Sequence, residues 1–240
     1  MEKKNLENTS KILEGIDLKS FDDSEESVDE KAERIEVARK AFFDKLEFIG
    51  IPPRFKNARL KDFEGDKFHL ITTKIMDKEV VKDKKEIDTA DLLRALDKGF
   101  SIKFVGESGR GKTHLAIALI IEMVKLKKTV SFLNDFEFRA ISKKMFADKA
   151  YDPYIEYGRK KDIQLIDDLG SIIPDLATKA DSIMREIAMG IISERYNQMR
   201  QTIITSNFDL RKKLEVSSLS RLKQDWIEVE MIGDDKRVFQ

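Results

Sequence analysis

Gly106-Glu-Ser-Gly-Arg-Gly-Lys112-Thr113 sets three glycines, a lysine and a threonine at the spacing of a phosphate-binding loop. Gly106, Gly109 and Gly111 let the backbone curl until its N–H groups face an anion, with Glu107, Ser108 and Arg110 between them. Lys112 would reach β- and γ-phosphates, the Thr113 hydroxyl would ligate magnesium, and His114 completes the nucleotide-contacting run. The expected ligands are therefore ATP and Mg2+; a plain strand-turn-helix is the bland alternative.

Two further clusters suit the same chemistry. In Leu165-Ile-Asp-Asp-Leu-Gly170, Asp167 would hold the magnesium and Asp168 would orient and deprotonate an attacking water, although adjacent acids after a strand also serve as helix caps. After Thr202-Ile-Ile-Thr-Ser206 stands Asn207, whose amide both donates and accepts and so can hold a water; alone it would be a turn residue. There is no cysteine and the only histidines are His69 and His114, so thiolate zinc and histidine-based metal sites are set aside in favour of magnesium on oxygen.

These residues need a scaffold that brings them together. Ser101–Val105 reads as a strand and Leu115–Val124 as a buried helix, giving the order strand, glycine loop, helix. The runs 129–133, 163–167, 202–205 and 227–231 are short, apolar or β-rich, and alternate with helical stretches, which predicts a parallel sheet covered on both faces. Ligands in such sheets sit beyond the carboxyl ends of strands, where Gly106, Asp167 and Asn207 fall. With 240 residues, one core of roughly 180 residues plus an accessory segment is expected.

Ahead of that core, Ser27-Val-Asp-Glu30 resembles a capping box, and Ile35, Ala38, Phe42, Leu46 and Ile49 share one helical face. The face either packs on its own domain or docks on another protein. Gly50-Ile-Pro-Pro-Arg-Phe55 ends the helix, dividing residues 1–50, an acidic tail and amphipathic helix, from an ATPase domain over 51–240. Net charge is zero, yet residues 1–30 carry ten acidic and four basic side chains, leaving the rest at +6. No apolar run is long enough to span a membrane and no signal peptide is legible, so a cytoplasmic location is expected.

The marks quoted above, with Ile192-Ser-Glu-Arg-Tyr196, Ser220-Arg-Leu222 and Gly233-Asp-Asp-Lys-Arg237, resemble the DnaC/DnaI-type replicative helicase loaders and their relatives the IstB-type transposition ATPases, within the AAA+ class. The resemblance implies a three-layer α/β/α P-loop NTPase with a five-stranded parallel sheet in the order 5-1-4-3-2 and an N-terminal helical extension. It implies that Arg221 is an arginine finger acting on a neighbouring subunit's ATP and that Arg237 senses nucleotide in cis; surface ion pairing is the alternative for both. Single-stranded DNA contacts fall, by the same resemblance, near Phe138, Arg139, Lys143 and Lys144, although Phe138 could equally be core. Only 33 residues follow Asn207, so a full helical lid is not expected. Asp168 stands where many AAA+ enzymes have glutamate, which suggests slow turnover.

The function implied is ATP-dependent loading of a hexameric replicative helicase onto single-stranded DNA by a chain that self-assembles with ATP. An IstB-like transposition helper, a small-molecule kinase and a non-hydrolysing ATP-binding adaptor are the competing expectations; the short C-terminus speaks against the kinase.

Overall fold

Four short runs form strands buried on both faces, Ser101–Val105 (β3), Val130–Leu133 (β4), Ile163–Ile166 (β5) and Gln201–Ser206 (β6), joined by Trp226–Glu230 (β7). The computed structural model describes residues 28–76, 79–172, 179–207 and 226–232. Ahead of these strands, Phe68–Met76 (β1) and Glu79–Ile87 (β2) form an antiparallel hairpin. The helices are Val28–Phe48 (α1), Thr89–Asp97 (α2), Lys112–Lys125 (α3), Asp135–Ala147 (α4), the four-residue Leu169–Ile172 (α5) and Lys179–Asn197 (α6). A π-helical turn spans Tyr154–Arg159.

The sheet runs β2-β1-β7-β3-β6-β5-β4. From β7 to β4 every pairing is parallel, and those five strands, numbered among themselves, keep the order 5-1-4-3-2. The five-stranded expectation is corrected: β1 pairs antiparallel with β7, so the hairpin extends the sheet to seven strands. Its β-branched residues, Ile71, Thr72, Thr73 and Ile75 on one strand and Val80 and Val81 on the other, carried a strand signal that the mixed charges around them obscured.

Successive strand residues turn to opposite faces. Phe132, Leu165 and Ile203 join one apolar cluster with α1, α2 and α3, while Leu133, Ile166 and Ile204 join another with α4, α5 and α6. Ten residues of α3 are buried, which is why its sequence is apolar nearly all round. On α1, Phe42 and Leu46 belong to the first cluster, and Ile35, Ala38 and Ile49 are half-buried, so the C-terminal end of that face packs on its own domain. The Ile49 carbonyl accepts the Phe132 N–H at 3.3 Å, tying the end of α1 to edge strand β4. The tail through 26 and the C-terminal segments bearing on the lid expectation lie outside the described residues.

Below the sheet's ligand-bearing end, Arg195 is completely buried. Its guanidinium donates to the Thr202 hydroxyl (3.0 Å) and to the carbonyls of Tyr157 (2.8 Å), Lys161 (3.0 Å), Asp162 (2.9 Å) and Gln201. Burial, then Arg200, push its pKa down to about 9, while Asp162 pulls it up; it remains a cation at neutral pH. The fork of donors joins α6, the π-helical turn and the start of β6, a task no single-point donor can do. Replacing Arg195 by Met should leave these carbonyls without partners, costing about 3 kcal/mol or more. In a domain of this size that lowers Tm by about 6–12 °C. A melting curve within 2 °C of wild type would contradict this assignment.

Candidate functional site

The chain leaves β3 through Gly106, whose φ is 143°, and rises through Gly109 and Gly111, both at φ 84°. A Cβ at Gly106 would lie 2.5 Å from the Met231 carbonyl oxygen, so glycine is required where β7 closes against the loop. The Met231 N–H donates to the Val105 carbonyl at 2.9 Å, fixing that closure. Gly111 is the N-cap of α3. Buried Lys112 lies across the loop, its Nζ donating to the carbonyls of Gly106 (2.8 Å) and Glu107 (2.6 Å). An ammonium so placed beside the N-terminus of α3 suits a polyphosphate.

Asp167 follows β5, anchored by its N–H to the Leu133 carbonyl at 2.8 Å. Its Oδ1 accepts two hydroxyls at 2.7 Å, from Thr113 on α3 and from Thr205 on β6. Burial pushes its pKa up, the two hydroxyls pull it down, Asp168 raises it and Arg54 lowers it. Asp168 adopts the left-handed conformation at φ 51°. Its N–H donates to Thr205 Oγ1 (2.8 Å), its Oδ2 accepts the Ser171 hydroxyl (2.7 Å), and its Oδ1 is a buried atom without a hydrogen-bond partner. The Thr113 hydroxyl beside the Asp167 carboxylate is a pair of hard oxygen donors, which fits Mg2+ completed by phosphate oxygens and water.

A cavity of about 580 Å³ joins these groups. Of the residues expected from sequence, Ser108, Gly109, Gly111, Lys112, Thr113, His114, Asp167, Asp168 and Asn207 line it. Glu107 and Arg110 instead pair with each other at 2.6 Å. Arg221 and Arg237 lie outside the described residues.

Sequence reasoning missed the cavity's other wall. Arg54, Phe55, Asp62 and Phe63 line it, as does Thr205. The rings of Phe55 and Phe63 stand edge-on to His114, with centroids at 6.0 and 5.4 Å, and His114 Nε2 lies 3.0 Å from Asp62 Oδ2. Such a wall can accept a flat heteroaromatic ring. Its signal was the Gly50-Ile-Pro-Pro-Arg-Phe55 segment, which looked like a boundary rather than a lining.

Of the four residues expected to contact DNA, all on α4, one is interior. Phe138 is fully buried in the cluster with Leu133, Ile141 and Ile166, so its ring cannot stack on a base; this corrects the expectation. Arg139 pairs with Asp135 at 2.8 Å, Lys143 is exposed, and Lys144 Nζ sits 3.9 Å above the Tyr151 ring. Phe136 and Phe146, both on α4, are the exposed rings there.

The sequence profile of the IstB-like ATP binding protein family matches residues 69–218. The ATP-binding protein of insertion sequence IS232 from Bacillus thuringiensis subsp. berliner is 25% identical over 154 residues, 61% of this chain and 59% of that protein. The match thus spans about three-fifths of that curated relative's length. Among solved structures, the DnaC helicase loader superposes with a TM-score of 0.52 at 20% identity, covering 75% of this chain and 100% of that one. DnaI does so at 0.51 and 16%, covering 78% and 94%. AMPPCP-bound DnaA from Aquifex aeolicus gives 0.51 and 22%, covering 61% and 47%. The fold is that of the AAA+ type of P-loop NTPase. Among the described residues no helix is long and apolar enough to cross a membrane.

Replacing Lys112 by Ala should weaken ATP binding about 10- to 100-fold in calorimetry, through loss of charge-assisted bonds, with the fold intact. Unchanged affinity would contradict the loop's role. Asp167 gives a second test, because its folded-state pKa lies above the ordinary 3.8. The ionised side chain therefore costs the folded state stability at neutral pH, a cost that fades as pH falls through the folded pKa. Asp167→Asn should raise the nucleotide-free Tm at pH 7, and the gain should shrink on acidification; a lower Tm at pH 7 would contradict the assignment.

Proposed function

This chain belongs to the IstB-like ATP-binding protein family, and we propose that it is a slow ATPase whose nucleotide state switches assembly, loading a hexameric replicative DNA helicase onto single-stranded DNA. The observation that carries the ATPase part is the Thr113–Asp167 contact of 2.7 Å beside Lys112 and the partnerless Asp168 Oδ1, all on one cavity. Magnesium, held by Thr113 and Asp167, would supply charge neutralisation at the phosphates. Lys112 exchanges its two loop carbonyls for β- and γ-phosphate oxygens. Asn207 orients the water, and Asp168 Oδ1 takes its proton as the γ-phosphate is attacked. An aspartate arm is shorter than a glutamate's, which suits a switch with slow turnover.

Assembly completes the site in this proposal. Arg221 of one subunit spreads positive charge over a neighbour's γ-phosphate and Arg237 senses nucleotide in cis. Residues 1–50 dock the helicase, using the acidic tail and the exposed side of α1, where Val37 and Phe48 project. Arg139, Lys143 and Lys144 lie near the DNA path. Helicase loading is supported by the full coverage of the DnaC helicase loader's fold. A second function, assistance to a transposase on duplex DNA, is favoured by the IS232 relative. Either function would place the chain in the cytoplasm.

Turnover per subunit should rise with protein concentration or with single-stranded DNA. Asp168→Asn should bind ATP yet turn over about 10²- to 10⁴-fold more slowly; turnover equal to wild type would remove Asp168 from its role, and an inert wild type would favour the adaptor. Arg221→Ala and Lys112→Ala subunits, each inactive, should recover activity on mixing. No recovery, with turnover independent of concentration and DNA, would defeat the assembling-ATPase proposal. Co-purification with the helicase, or with a transposase from the same source, separates the two partner classes.

A further inference from the structure

Thr205 lies outside the phosphate loop and the acid pair, two residues before the water-holding Asn207, and it is almost completely buried. Its hydroxyl makes two contacts of opposite sense. The Asp168 N–H, which can only donate, gives its proton to Thr205 Oγ1 at 2.8 Å. The hydroxyl's single proton must then go to Asp167 Oδ1, 2.7 Å away. The same Oδ1 receives the Thr113 hydroxyl. Polarity is thus fixed around the whole ring: Asp168 N–H to Thr205, Thr205 to Asp167, Thr113 to Asp167.

The contact to Asp168 falls on strained backbone. Asp168 is not glycine, yet it holds φ 51°, a conformation costing on the order of 1 kcal/mol or more. That turn lets Oδ2 meet the Ser171 hydroxyl while Oδ1 stays without a partner. Strand pairing places Thr205 where the clamp can act, since β6 lies between β3, which feeds the loop, and β5, which ends at the acids.

We propose that Thr205 is a positioning residue that clamps the two acids, aiming Asp167 at the magnesium position and holding Asp168 in its left-handed turn so that its carboxylate faces the attacking water. The proposal rests on the ATPase function above and adds a residue to it. Because the clamp sits on the strand that carries Asn207, a shift of that tip on phosphate release also slackens both acids.

Thr205→Val keeps the side-chain shape and removes both bonds; Thr205→Ser keeps both. Without magnesium, Thr205→Val should bind ATP within about 2-fold of wild type, because Lys112 and the loop are untouched. It should need about 10- to 100-fold more Mg2+ to reach its tightest ATP binding and lose turnover by a similar factor, with KM little changed. Amide hydrogen exchange at Asp168 should accelerate at least about 10-fold while Leu165, in the adjoining strand, stays protected. Thr205→Ser should remain within about 3-fold on every measure. Wild-type Mg2+ dependence together with a protected Asp168 amide in Thr205→Val would overturn the clamp. If valine loosens the fold throughout, serine decides: recovery supports the clamp, and a defect equal to valine's overturns it. A wild type that binds but never hydrolyses ATP would defeat the ATPase proposal alone, and the Mg2+ and exchange measurements would still judge Thr205.

Discussion

A single carboxylate oxygen, Asp167 Oδ1, accepts hydroxyls from α3 and β6 and thereby joins the phosphate loop's helix, the acid-bearing strand and the Asn207-bearing strand. The contact demands that these three segments end at the same height. The parallel register supplies this: Val105 pairs with Ser206, and Ile166 with Ile204, so the loop, the acids and Asn207 all begin within two residues of the sheet's upper edge. Short strands buried on both faces fit that requirement, because helices must approach from either side.

Chemistry costs this region stability, and the body of the domain offsets the cost. Asp167 is held where burial opposes its charge, Asp168 takes strained backbone, and Lys112 is buried against carbonyls. Opposed to them are two apolar clusters, one on each face, and the Arg195 fork that gathers the far end of β6 with the π-helical turn. The segment that leads out of α1 returns at once to the cavity: Ile49 bonds to β4, and Arg54 and Phe55 line the wall opposite the acids. A partner bound to α1 would therefore be a few residues from the nucleotide.

Much of this was legible in the sequence, and for identifiable reasons. Positive φ at 84° and 143° favours glycine, so the loop announced itself, and adjacent aspartates at the carboxyl end of a strand, after such a loop, point to a ligand more than to a helix cap. Local signals of that kind exist for Lys112, Thr113, Asp167 and Asn207. Thr205 has none, because a threonine in a β-rich run is ordinary until the structure shows what its hydroxyl meets. The Phe55, Phe63 and His114 wall was equally hidden, being built from segments about 50 residues apart. Phe138 misled in the other direction: rings and cations alternate on α4, yet helical spacing turns Phe138 inward and leaves Phe136 and Phe146 outside. The β1–β2 hairpin escaped because charge in a strand on one sheet edge weakens the apolar pattern by which strands are recognised.

The proposed function stands on nucleotide state changing the company this chain keeps. Sedimentation velocity at one protein concentration tests that most directly, comparing a non-hydrolysable ATP analogue with ADP, each with Mg2+. A switch of the proposed kind gives a larger particle with the analogue than with ADP, because only a γ-phosphate offers a neighbour's arginine its target. Identical sedimentation in both nucleotides, at saturations confirmed by direct binding, would contradict it.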